Sequence, residues 1–210
     1  MAINTKAITK ALTVHLKNHK DSLENKAFHQ IHVKEDGTTE YATSTMLIRF
    51  VKGIFMKTVI LDTRTKGQIE KGITLPTLDF LNANFPKNTD RLFAPNIETN
   101  KNISEKEFDL TTLLKTVKEF EKKSISKPSG HKYHSVSFYF DSKEFVAITK
   151  KDKETNHLEF DADHLVRVLQ SMKALGDETV KIYFHDGKPA RPFEIHSSNA
   201  KALIAPIRFW

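Results

Sequence analysis

Apolar residues recur along this chain in two rhythms, one with the period of a helix and one with the alternation of a strand. Between Thr5 and Lys17, Ile8, Leu12 and Leu16 fall on one helical stripe, while Lys6, Lys10, Lys17 and Lys20 lie largely on another side. The run "FHQIHV" from Phe28 to Val33 alternates, turns at Glu35-Asp36-Gly37 and returns through "TTEYAT", the pattern of a hairpin. "MLIRFVKGIFMKTVIL" continues as one or two strands broken near Gly53, "TKGQIEKG" reads as a polar loop and "ITLP" as a short strand. Thr77 to Phe85 reads as a short helix with Leu78, Leu81 and Phe85 inward, stopped by Pro86.

Asn88 to Lys106 is polar, carries Pro95 and several Asn, and reads as a connector. Beyond it the rhythm starts again. Phe108 to Lys122 predicts a helix with Leu110, Leu113, Leu114, Val117 and Phe120 inward. Ser124 to Lys132 predicts a polar loop, and "YHSVSFYF" with "EFVAITK" a hairpin around Asp141-Ser142. "NHLEFD" reads as a strand. The last helix carries Leu165, Val166, Leu169 and Met172, with Asp163 as its expected cap and Gly176 as its stop. Strands over Thr179–Phe184 and Pro192–Ile195 and a hydrophobic-basic tail, Ala205 to Phe209, finish the chain. The pattern divides the chain into a first domain at 1–94, a linker at 95–106 and a second domain at 107–210, both α+β with amphipathic helices on antiparallel sheet.

Composition narrows the function. The chain has 210 residues, no cysteine and a net charge of +7. The missing thiols exclude disulfides, thiolate catalysis and cysteine-type zinc sites. No apolar run reaches the roughly 20 residues that span a bilayer, and "MAINTKAITKAL" has no signal-peptide core, so the expected compartment is the cytoplasm and no membrane partner is expected. A basic balance suits a polyphosphate partner, although lysines on any solvent-facing helix side would give the same count. The ten His show no H-E-x-x-H spacing. There is no phosphate-cradling glycine loop, no dinucleotide fingerprint and no nucleophile elbow. Asp161 and Asp163 sit at a helix start, where carboxylates serve the helix. No enzyme activity and no cofactor or metal is expected.

The last 50 residues resemble the C-terminal end of a bacterial DNA sliding clamp, the β subunit of the replicative polymerase. Phe160–Leu175 matches the family's "F-N-x-x-Y-L-x-D-x-L-K-x-L" helix, Thr179–Phe184 its "E-V-x-I-x-F" strand, Pro192–Ile195 its "x-P-x-x-I" strand and Ala205–Phe209 its closing "M-P-M-R-L". In the first half, "INTKAITKALTVHL", "EYATSTMLIRF", "GITLPTLDFLNANFP" and "RLFAPNIE" resemble the opening helix, the "A-T-D-G-H-R-L" turn, the second helix and the inter-domain segment of that family. The chain departs from the pattern in four ways: it has room for two of the usual three domains, its halves are short of strands after Phe85 and between Lys150 and Asn156, its Thr43–Ile48 turn lacks the Gly, His and Arg, and it is basic. A phage or other mobile element would carry such a reduced form.

The resemblance implies a non-enzymatic processivity factor. Clamp helices contact duplex DNA without reading bases, and on this chain the contacting residues would be Lys6, Lys10, Lys17, Lys20, Lys115, Lys118, Lys122, Arg167 and Lys173. Six clamp domains close a ring, so a two-domain chain would assemble as a homotrimer. A polymerase or another clamp-binding protein would insert a peptide into a groove lined by Leu203, Ile204, Ala205, Pro206, Ile207, Arg208 and Phe209, extended by Trp210, with Thr43 and Leu47 opposite. The alternative is a clamp-fold protein that forms no ring and modulates replication by binding a host clamp or clamp-binding proteins.

Overall fold

The computed structural model describes residues 7, 10–11, 14–15, 30–33, 38–43, 45–50, 59–62, 89–94, 97–122, 125–126, 132–133, 135–139, 144–147, 157–186, 188 and 190–207. The expected second helix at Thr77–Phe85, the break at Gly53, the turn at Asp141-Ser142 and the stripe Ile8, Leu12, Leu16 lie outside these residues, as does the end of the tail.

Four strands come from the first half: β1 (Gln30–Val33), β2 (Thr39–Ala42), β3 (Met46–Phe50) and β4 (Val59–Asp62). The expected hairpin is present, with Ile31 opposite Tyr41 and Val33 opposite Thr39. The second half supplies β5 (Ile103–Asp109), helix α1 (Leu110–Glu121), β6 (Ile125–Ser126), β7 (Lys132–Tyr133), β8 (Ser135–Tyr139), β9 (Glu144–Ala147), β10 (His157–Asp161), helix α2 (Ala162–Ala174), β11 (Thr179–His185), β12 (Phe193–His196) and β13 (Ala200–Ile204). Eight strands join in one antiparallel sheet, ordered β4-β1-β2-β3-β13-β12-β11-β5, and β10-β8-β9 form a second. The seam between the halves is the β3–β13 ladder, where Leu47 faces Leu203 and Ile48 faces Ala202.

Side-chain alternation sorts the large sheet into two faces. Ile48, Phe50, Ile182, Phe184, Phe193, Ile195, Ala202 and Ile204 join the main core with the buried residues of α1 and α2. The second sheet covers part of the same face through aromatic contacts. Phe138 stacks on Phe184 at 3.6 Å between centroids, and Phe160 meets Phe193 at 4.8 Å. The N-terminal helical residues join this layer: Ala11 and His15 are fully buried, and Ser171 of α2 donates to the Ala11 carbonyl at 3.0 Å and lies 2.7 Å from His15 Nε2. His15 is thus a packed interior residue.

Several local expectations change. The connector carries short 3-10 turns at Thr89–Leu92 and Ile97–Thr99 and becomes strand at Ile103. Its charged residues alternate with Phe108 on an edge strand, a pattern that periodicity alone reads as polar linker. Helix α1 therefore starts at Leu110, with Asp109 as its cap accepting from Thr112 N at 2.7 Å. The loop expected at Ser124–Lys132 contains the β6–β7 pairing. The cap of α2 is Asp161, whose Oδ1 accepts from Asp163 N at 3.1 Å; Asp163 lies in the first turn. At the other end Gly176 takes φ +91°, and Asp177 N returns to the Met172 carbonyl at 3.2 Å, closing α2 as the sequence suggests.

Candidate functional site

Two surfaces collect the residues singled out from the sequence. The first is the solvent side of the helix layer. Leu110, Leu113, Leu114 and Val117 of α1 turn into the core, which leaves Lys115, Lys118 and Lys122 exposed. Lys10 of the N-terminal helix and Lys173 of α2 are exposed as well. Lys173 Nζ donates to Thr111 Oγ1 at 3.2 Å, linking the two helices. Arg167 is half-buried and engaged in an ion pair with Asp163 one turn earlier, so its charge is already answered within α2. Glu119 is an exposed acid on α1. Lys6, Lys17 and Lys20 lie outside the described residues.

The second surface is the other face of the large sheet. Ala42, Leu47 and Leu203 form a small apolar cluster there, separate from the core, with Phe93 packed against it. Leu47 and Leu203 are cross-strand partners, so the sheet register brings together two residues assigned from opposite ends of the sequence. Ile204 is fully buried among the core residues. The tail leaves β13 with Ala205, Pro206 and Ile207 half-buried. Ala205 N donates to the Thr45 carbonyl at 2.8 Å and Ile207 N to the Glu159 carbonyl at 2.7 Å. Thr43 shapes the adjacent turn: its N donates to the Met46 carbonyl at 2.7 Å and its Oγ1 accepts from Met46 N at 3.0 Å. Arg208, Phe209 and Trp210 lie outside the described residues.

Sequence reading missed a strap, Thr89 to Ala94, that crosses this face. At one end Thr89 donates to both oxygens of the buried Glu40 carboxylate at 2.8 and 2.9 Å. Arg49 Nε contacts Glu40 Oε1 at 2.6 Å, and its Nη2 reaches Asp90 Oδ1 at 2.7 Å. Its guanidinium lies over the Phe93 ring, 4.7 Å from the centroid. At the other end Ala94 N donates to Glu194 Oε1 at 2.6 Å, and the other Glu194 oxygen meets His196 Nε2 at 2.8 Å. The available signal was charge at the polar positions of alternating strands, Glu40, Arg49 and Glu194, but their meeting depends on a register that the sequence does not display.

His164 joins the turn to α2. Its Nε2 lies 2.9 Å from Thr45 Oγ1, and its Nδ1 is 3.7 Å from Asp161 Oδ2. Burial holds the imidazole below the ordinary histidine range; Asp161 and Asp163 pull it back up and Arg167 adds to the lowering. The ring is therefore a neutral hydrogen-bonding partner at neutral pH. No group of three or more potential metal ligands exists among the described residues.

These elements define the clamp fold. The β subunit from DNA polymerase of Streptococcus pyogenes superposes with a TM-score of 0.66 at 17% identity, covering 98% of this chain and 64% of that one. A Helicobacter pylori β clamp solved with diflunisal gives 0.66 at 14%, covering 100% and 66%. The Bacillus subtilis polymerase sliding clamp gives 0.62 at 15%, covering 99% and 64%. The chain thus spans just under two thirds of the length of these clamps. No protein-family profile matches the sequence, and no curated protein matches it. No helix among the described residues is long and apolar enough to cross a membrane.

Proposed function

We propose that this chain is a sliding-clamp-like processivity factor of DNA replication, acting in the cytoplasm without catalytic activity. It would hold duplex DNA non-specifically and recruit a polymerase or another clamp-binding protein through the outer face. The observation that carries the reading is the clamp fold itself, matched over nearly the whole chain by polymerase β subunits. The exposed row Lys115, Lys118 and Lys122 on a helix of the inner layer supports the DNA part, because such a layer faces the duplex in a ring. The pairing of Leu47 with Leu203 beside the tail supports the peptide part. In this reading residues 1–94 and 107–210 are two clamp domains joined by 95–106, and three copies close a six-domain ring.

The deciding experiment measures retention on DNA. Protein assembled on a closed circle should stay through a high-salt wash and leave when the circle is cut. Equal loss from circular and linear DNA would defeat the ring.

One observation favours the ring-free reading. Among the described residues β4 and β5 end the large sheet and β9 and β10 the three-stranded one, so ring closure needs pairing at edges built from four to seven residues. A clamp-fold monomer that binds a host clamp or its partners would leave those edges unused.

A further inference from the structure

Phe93 packs on the apolar cluster of the outer face. Ala42, Leu47 and Leu203 form an apolar cluster apart from the core, and Phe93 is the side chain packed on it. Beneath it Leu47 is 3% and Leu203 9% exposed. The strap that delivers Phe93 is fixed at its ends by polar contacts, to Glu40 and Arg49 on one side of the seam and to Glu194 on the other. Between those ends it presents Leu92, 52% exposed, to solvent. The ties run to buried side chains, Glu40 and Glu194, but none belongs to a sheet ladder, so a cover held this way can lift without opening the core.

We infer that Phe93 is an intramolecular occupant of the outer-face pocket, and that a partner peptide binds there by displacing it. The inference rests on the reading that this face takes a partner peptide. The pocket selects a bulky apolar side chain, because its walls are Ala42, Leu47 and Leu203. It also selects an acidic neighbour, because the exposed Lys201, the cross-strand partner of Arg49, stands beside it. Affinity for the partner is then reduced by the fraction of molecules whose strap is closed.

The absence of cysteine makes a clean test possible. Leu203→Cys is placed in the otherwise native chain and in Phe93→Ala, and the rate of its reaction with a bulky aromatic disulfide is followed. The cover predicts a rise of about tenfold when Phe93 is removed, the rate reporting the open fraction. Equal rates overturn the inference. Leu47→Cys repeats the measurement if Leu203→Cys fails to fold. In the same assay, a blocked tetrapeptide Asp-Leu-Phe-Asp should protect the cysteine at about tenfold lower concentration in Phe93→Ala than in the Phe93 chain. Equal protection in both chains means that the face takes peptides but Phe93 does not compete, which overturns the inference alone. Faster labelling with no protection in either chain means that the pocket is covered but takes no such peptide, which overturns both the competition and the partner-groove reading.

Discussion

Arg49 shows how much a single side chain does on the outer face. It faces the buried Glu40 carboxylate, reaches Asp90 and lies over Phe93, so it ties β2, β3 and the strap together. Arg49→Ala takes the guanidinium away from the buried Glu40 carboxylate, and loss of one member of such a pair costs about 3–5 kcal/mol. Denaturant unfolding should show that loss, and Glu40→Gln with Arg49→Met should recover much of it, because the double change removes the stranded charge. A double variant as unstable as Arg49→Ala would mean that packing of the arginine stem, not charge, is what matters. His164 gives a residue-scale prediction in pH. Its folded pKa lies below the ordinary value of 6.5, so the folded state binds fewer protons than the unfolded one as pH falls. Its contribution is intact above about 6.5 and is lost progressively as pH drops from there toward the folded pKa. His185 is lowered too, by burial first and then by Arg191, and it acts in the same direction. Melting curves from pH 8 to pH 5 should therefore fall off less steeply below 6.5 in His164→Gln than in the native chain. An identical slope would remove His164 from the account.

At the scale of elements, α1 carries the DNA prediction. Lys115, Lys118 and Lys122 are solvent-facing and lie opposite the apolar stripe, so Ala at all three positions leaves the core untouched. If each contacts a phosphate, the triple variant lowers the slope of log K against log salt by about 2.7, at about 0.9 per contact. An unchanged slope places α1 away from DNA. Helix α2 carries a stability prediction at its end. Gly176→Ala meets no atom within 4 Å but must hold φ +91°, so its cost is backbone strain alone, about 1–2 kcal/mol. What the sequence disclosed at this scale follows from range. The β1–β2 and β8–β9 hairpins and the buried stripe of α2 were legible because their patterns are local. The pairing of β5 with β11 was not: Ser104, Lys106 and Phe108 meet Phe184, Ile182 and Val180 across some 75 residues of chain, and β5 itself alternates too weakly to stand out from a linker. The cap of α2 was placed two residues late because Asp161 and Asp163 suit the role equally in sequence, and only backbone geometry separates an extended Asp161 from a helical Asp163. For the candidate site, Leu47 and Leu203 were legible through the family resemblance, whereas Phe93 was hidden in a segment whose partners come from four different strands, β2, β3, β12 and β13.

For the whole molecule, the seam decides what the protein can become. The β3–β13 ladder joins the two halves of the chain through five register pairs, from Ala200–Phe50 to Ile204–Met46, and the strap spans it from outside. Such a junction makes the halves one continuous sheet rather than two tethered bodies, and a sheet ended by β4 and β5 among the described residues closes into a ring only if such edges find each other. The same edges on a monomer would have to be covered or blunted to avoid open-ended association. The two outcomes differ in mass. A closed ring has three times 24.1 kDa and keeps that mass over a wide range of concentrations, because every edge is paired. A monomer stays at 24.1 kDa, and an open head-to-tail assembly grows continuously with concentration. Light scattering on a sizing column at moderate salt separates the three. A fixed trimer carries the processivity reading. A monomer that remains so when duplex DNA is added moves the function to the ring-free reading, in which the outer face and its strap do the work alone.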